Sequence, residues 1–111
     1  MYPILKVTAE TTHKQVFLAV VRHLLDQGKR SQEDGESMYR GGEAFSLADP
    51  VGCLLTDDEM GLIGYDLPER LERFRELLWG LSLIHDHVDP KDWAARFQKA
   101  ERELLYRQAY P

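Results

Sequence analysis

The sequence predicts a mainly α-helical small domain: an N-terminal helix, an irregular middle with room for a short β-hairpin, and a C-terminal antiparallel helical hairpin. Three observations lead there. Apolar residues recur at spacings of three and four near the N-terminus and again through the C-terminal half, the period of a one-sided helix. Helix-start signals stand ahead of these runs. Between them, from Gly28 to Asp49, that period is lost.

Each element has its own signal. Thr12 followed three residues later by Gln15 is a capping box, in which the hydroxyl accepts the Gln15 amide proton and the Gln side chain reaches back. Val16, Phe17, Val20, Val21, Leu24 and Leu25 then form one wide stripe. Gly28 stands where a left-handed terminating residue is wanted, so a helix is expected at about 12–27. Lys29 to Ser37 is polar and turn-rich and reads as a loop. Met38-Tyr39-Arg40 and Ala44-Phe45-Ser46-Leu47 flank Gly41-Gly42-Glu43, the layout of a short hairpin. Asp49-Pro50 restarts a helical turn through Val51 to Leu55, because the carboxylate caps free amides and Pro gives up an N–H that the first turn does not use.

Gly52 inside that turn costs about 1 kcal/mol against Ala. A glycine kept there signals another backbone or a ligand close by. Thr56 and Glu59 make a second capping box ahead of Gly61 and Gly64. Pro68 opens a helix whose Leu71, Phe74, Leu77, Leu78, Leu81 and Ile84 share a face, and Gly80 in its middle points to close packing. Asp89-Pro90 repeats the cap-and-proline start. Trp93, Phe97, Ala100 and Leu104 then step by four, three and four. That helix is expected at about 90–107. Only His85 to Asp89 separates the last two helices, so they are expected to be antiparallel. The expected core combines Phe17, Val20, Val21, Leu24, Leu54, Phe74, Leu78, Leu81, Trp93, Phe97 and Leu104.

Composition bounds the function. The 111 residues are read as a single helical domain over 1–111, with 43% apolar residues to build a core. Fourteen Lys and Arg against nineteen Asp and Glu give a net charge of −5. That balance argues against nucleic acid as a partner, since wrapping phosphates takes a basic face. No run nears the roughly 18 apolar residues of a membrane span, so no membrane partner is expected. The start lacks the basic-then-apolar layout of a secretory signal. The one cysteine, Cys53, excludes an internal disulfide and fits a reducing, cytoplasmic setting.

Several groups invite a chemical role. Tyr39, Arg40, Gly41 and Gly42 form the leading candidate ligand-binding set: Arg offers a planar fork to phosphate or carboxylate, Tyr stacks, and paired glycines let backbone amides approach an anion. The competing reading is a hairpin turn whose Arg pairs with an acid of the loop. His85-Asp86-His87 with Asp89 looks ligand-like, yet His85 and His87 diverge by about 200° on a helix. No metal is therefore expected, and capped helix ends account for the cluster. Cys53 lies among apolar neighbours and reads as a buried, inert thiol. Glu33, Asp34, Glu36, Asp57, Asp58 and Glu59 suggest mimicry of nucleic acid, but solvated loops and helix caps explain most of them. No phosphate-binding glycine loop supports a nucleotide enzyme. Neither a cofactor nor a catalytic residue is expected.

Tyr39-Arg40-Gly41, then Val51-Gly52-Cys53-Leu54-Leu55 followed by Asp57-Asp58-Glu59, resembles a segment of small phage- and prophage-encoded proteins of unknown function. That group carries Cys-Ala-Tyr-Arg-Gly, Cys-Ala-Val-Gly-Cys-Leu-Ile and then Pro-Asp-Glu. Leu83-Ile84-His85-Asp86, with Pro90 and Trp93, is similar to its C-terminal half. The likeness covers about 12–107 through short motifs. The group's first two cysteines fall at Ser37 and Asp49 here, which removes any cysteine-pair role. The resemblance implies a phage setting and a helical fold, and brings no activity with it.

The expectation is thus a non-catalytic, phage-type accessory protein that binds a host protein, with a host-defence component as one such target. The alternative is a small-ligand binder that captures an anionic metabolite or nucleotide near Tyr39 and Arg40. An enzyme using Cys53 or His85 comes third. A homodimer through a leftover apolar stripe stays open.

Overall fold

In the computed structural model, which describes residues 2–33, 36–42, 47–62 and 67–106, the first capping box is complete. Thr12 Oγ1 accepts the Gln15 amide at 3.1 Å and Gln15 Oε1 accepts the Thr12 amide at 2.8 Å. Helix α1 (His13–Gln27) follows and ends on Gly28, whose φ of +71° suits glycine and whose amide bonds Leu24 O. Its buried face is His13, Val16, Phe17, Val20 and Leu24.

The middle is more ordered than its composition suggests. Two-residue strands β1 (Gln32–Glu33) and β2 (Glu36–Ser37) pair antiparallel within the stretch expected to be loop. The second pair, β3 (Arg40–Gly41) and β4 (Leu47–Ala48), sets Arg40 opposite Ala48 and Gly41 opposite Leu47. The expected hairpin therefore exists, but Gly41 belongs to a strand and not to the turn. Residues 43–46 lie outside the described residues. Pairs this short are marginal alone and depend on the surfaces beneath them.

Asp49 then caps the next turn: its Oδ1 accepts the amides of Val51 at 3.0 Å and Gly52 at 2.6 Å. The result is a single 3₁₀ turn, Gly52–Leu54, and no α-helix. The second capping box also forms, with Thr56 N donating to Glu59 Oε1 and Glu59 N to Thr56 Oγ1, and starts helix α2 (Asp57–Leu62).

The long C-terminal helices are both shorter than expected, because the first begins and the second both begins and ends in other windings. Glu69–Phe74 is 3₁₀ before α3 (Arg75–His87), and Pro90–Asp92 is 3₁₀ before α4 (Trp93–Glu101), which runs on as a π-type turn, Arg102–Tyr106. His85 lies inside α3, so the connection is shorter than the one expected. His85 stacks on Trp93 while Gly80 faces Leu104, so α3 and α4 run antiparallel. A Cβ on Gly80 would sit 2.9 Å from the Leu104 side chain, the close packing that this glycine foretold.

The core joins α1, the Gly52–Leu54 turn, α3 and α4. Of the expected set, Phe17, Val20, Leu24, Leu54, Phe74, Leu78, Leu81, Trp93 and Phe97 are buried, while Val21 and Leu104 are half-buried against them. Four arginines hold irregular backbone to this core. Arg30 donates to the carbonyls of His85 and Val88, Arg40 to Gly52 and Leu55, Arg70 to Leu54, and Arg73 to Thr8, Ala9 and Thr11. Most of these carbonyls lie at helix ends or in loops, where one buried unpaired would cost free energy; Gly52 O and Thr8 O also accept the amides of Leu55 and Thr11.

Candidate functional site

Arg40 is the centre of the leading candidate set, and β3 directs it inward. It is buried, and each of its three side-chain nitrogens has a partner: Nε faces Gly52 O at 3.5 Å, Nη2 donates to Leu55 O at 2.5 Å, and Nη1 donates to the Asp57 carboxylate. Its guanidinium also lies 4.9 Å from the centre of the Tyr2 ring. Gly41 packs on the backbone of Gln32 and the Ser31 hydroxyl, and Gly42, at φ +74°, is exposed. Tyr39 is half-buried, which raises its phenol, and its carbonyl accepts the Asp49 amide at 3.0 Å. The four residues are together, as the sequence placed them, but the Arg fork braces β3 against the Gly52–Leu54 turn. The acid that Arg40 pairs with is Asp57 at the start of α2, and not an acid of the hairpin loop.

His85 is fully buried, and its hydrogen bonds fix its tautomer. The Ser31 amide donates to Nε2 at 3.0 Å, so the proton sits on Nδ1 and is donated to Asp86 Oδ1 at 2.7 Å. Burial lowers the His85 pKa against the opposing pull of Asp86, which favours the neutral ring. Ser31, His85 and Asp86 thus share residue types with a hydrolytic triad. Here, however, the nitrogen that would take a proton from the hydroxyl is already held by the serine's own amide. Ser31 Oγ is buried without a hydrogen-bond partner among the described residues. No group of three or more His, Cys, Asp or Glu among the described residues is placed to hold a metal.

Cys53 and Asp49 lie side by side under β3. Burial pushes the Cys53 thiol well up, and Asp49 adds to this; the thiol donates to Pro50 O at 3.3 Å. Burial likewise raises Asp49 to about 7 in spite of its two amide donors. A thiol so placed has little thiolate to offer. His13 and His23 also serve the backbone, donating to Arg73 O at 3.0 Å and Ala48 O at 2.9 Å. These roles are not legible in the sequence, because their partners lie 60 and 25 residues away.

Two large apolar side chains stand exposed on α3. Trp79 on α3 is 67% exposed, and Leu83, one turn further on, is 43% exposed. Leu83 rims a groove of about 310 Å³ between α3 and α4, whose walls include Gly80, Ile84, Val88, Ala100 and Leu104. Trp79 is not among the expected site residues, although the sequence carries a signal for it: it falls off the stripe that runs through Leu77, Leu78 and Leu81. A second, wider groove of about 890 Å³ lies along α1 between Leu18, Arg22 and His23 on one side and Tyr2, Ile4 and Leu47 on the other. No helix among the described residues is long and apolar enough to cross a membrane. Set against models of known families, curated proteins and solved structures, the chain matches none of them.

Proposed function

We propose that the chain is a non-catalytic binding protein whose partner is another protein, docked on the Trp79–Leu83 face of α3. In the phage setting that the short motifs imply, that partner is a host protein, and a host-defence component is one such target. The observation that carries this reading is the exposure of Trp79. A tryptophan left two-thirds in water beside an apolar groove forfeits burial that the fold supplies to Trp93, and Trp is among the residues that most often anchor protein interfaces. The candidate reactive groups support the same reading from the other side: Arg40, His85 and Cys53 are each buried in bonds that maintain the fold.

The test is capture from bacterial lysate on immobilised wild-type chain, Trp79→Glu and Leu83→Asp. Both side chains already face water, so the melting temperature should hardly move. A partner held by an anchoring Trp should be lost by about tenfold or more in Trp79→Glu. Repeated recovery of no partner, or equal recovery on all three, would refute the reading.

A further inference from the structure

Two exposed stripes on this chain carry opposite charge. On α1, Lys14, Leu18, Arg22 and Leu25 recur at spacings of four, four and three, and Lys29 continues the line past the helix end; all five are exposed. Along the 3₁₀ turn and α3, Glu69, Glu72, Glu76, Trp79 and Leu83 recur at three, four, three and four, and all five are again exposed. Residues three apart eclipse in a 3₁₀ turn, and spacings of three and four share a face in an α-helix. The first stripe runs about 17 Å from Lys14 to Leu25, and the second about 22 Å from Glu69 to Leu83. Arg22 approaches Asp26 at 4.0 Å and Glu72 bonds Arg75 at 2.6 Å. Lys14, Lys29, Glu69 and Glu76 have no ion pair among the described residues.

We infer that the occupant these stripes fit is a second copy of this chain: the α1 stripe of one copy lies on the Glu69–Leu83 stripe of another. Laid antiparallel with Leu18 on Trp79, the helical rise sets Arg22 beside Glu76, and Lys29, which lines the same groove as Leu18 and Arg22, toward Glu72 and Glu69. Both halves of the contact are on the same chain, and in this register cations face carboxylates at one end while a leucine meets the exposed tryptophan. This rests on reading the Trp79 face as a contact surface, and it makes self-association a competitor of any foreign protein that uses that face. Two copies that make the contact reciprocally close into a dimer, and copies that make it once at each end grow into chains.

Sedimentation of the purified chain tests it, with no partner required. The wild type should self-associate in a concentration-dependent way that added salt weakens. Arg22→Glu/Lys29→Glu and Glu69→Lys/Glu76→Lys should each associate about tenfold more weakly or worse, since each sets like charges face to face. Mixed one to one, these two variants should associate again, because every reversed stripe then meets its opposite. Melting curves confirm that both fold, and the salt series on wild type stands if one does not. A wild type that stays monomeric to millimolar concentration overturns the proposal. If it does so while lysate capture through Trp79 persists, that face belongs to a foreign protein. Monomers that co-sediment with phosphatidylserine vesicles would assign the α1 stripe to a lipid surface and overturn it equally.

Discussion

Replacing Gly52 with alanine tests the architecture of the middle segment at its tightest point. A Cβ built there falls 1.7 Å from Tyr39 O, 2.4 Å from Tyr39 C and 2.9 Å from Tyr39 Cα. Ordinary carbon–oxygen contact needs about 3.3 Å, so the two backbones must part by well over an ångström. Three bonds depend on their present distance: Asp49 N to Tyr39 O at 3.0 Å, Gly52 N to Asp49 Oδ1 at 2.6 Å, and the approach of Arg40 to Gly52 O. At about 1 kcal/mol each, together with the disturbed packing of Cys53 and Leu54, the loss outweighs the roughly 1 kcal/mol that Ala gains in propensity. A net destabilisation of about 3–5 kcal/mol is expected. In a domain of this size that lowers the melting temperature by about 10 °C or more. Gly80→Ala is the control. Its Cβ meets only the mobile end of Leu104, at 2.9 Å, so it should stay within about 1 kcal/mol of wild type. Urea titrations of all three proteins decide the matter. If Gly52→Ala proved as stable as Gly80→Ala, the close approach of the Tyr39 and Gly52 backbones would be wrong.

Two further outcomes follow from the same region. Arg40→Lys should cost about 2–3 kcal/mol in urea titration, because one ammonium cannot reach the Gly52, Leu55 and Asp57 oxygens together, whereas Asp57→Ala, at the exposed end of the pair, should cost less than about 1 kcal/mol. Asp49 has a folded pKa of about 7, above its ordinary value of 3.8, so its contribution to stability is full in acid and is lost as pH rises through 7. Asp49→Asn keeps an oxygen acceptor for the cap but cannot ionise. Relative to wild type it should therefore gain stability between pH 4 and 8, by a few kcal/mol at the upper end. The depressed His23 and His85 act in the opposite sense and cancel in this difference. A flat difference curve would place the Asp49 carboxyl in water.

Much of the helical framework was legible because its causes are local. Thr12, Gln15 and Gly28 act within a few residues of one another, and their caps appear as read. Gly52 and Gly80 announced close neighbours, and each has one. The winding of Glu69–Phe74 was not legible, because an apolar spacing of three fits 3₁₀ and α turns alike. Strands β1 and β2 were missed for a different reason. Their residues are polar, and they pair where Met38 N also reaches Ser31 O, a choice made by tertiary placement over propensity. In the candidate set, the grouping of Tyr39 to Gly42 could be read from the sequence, whereas the direction of Arg40 could not. The oxygens that draw it inward belong to Gly52, Leu55 and Asp57, 12 to 17 residues ahead.

The four inward-reaching arginines also set a rule for how this protein tolerates drift. Lysine at positions 30, 40, 70 and 73 would leave net charge, apolar periodicity and every cap untouched, so by pattern alone the sequence would look equivalent. Yet each ammonium is a single flexible point where a rigid planar fork had spanned two or more oxygens. The tolerance of the connecting segments to sequence change is therefore set less by their own residues than by whether a guanidinium still reaches them from elsewhere in the chain.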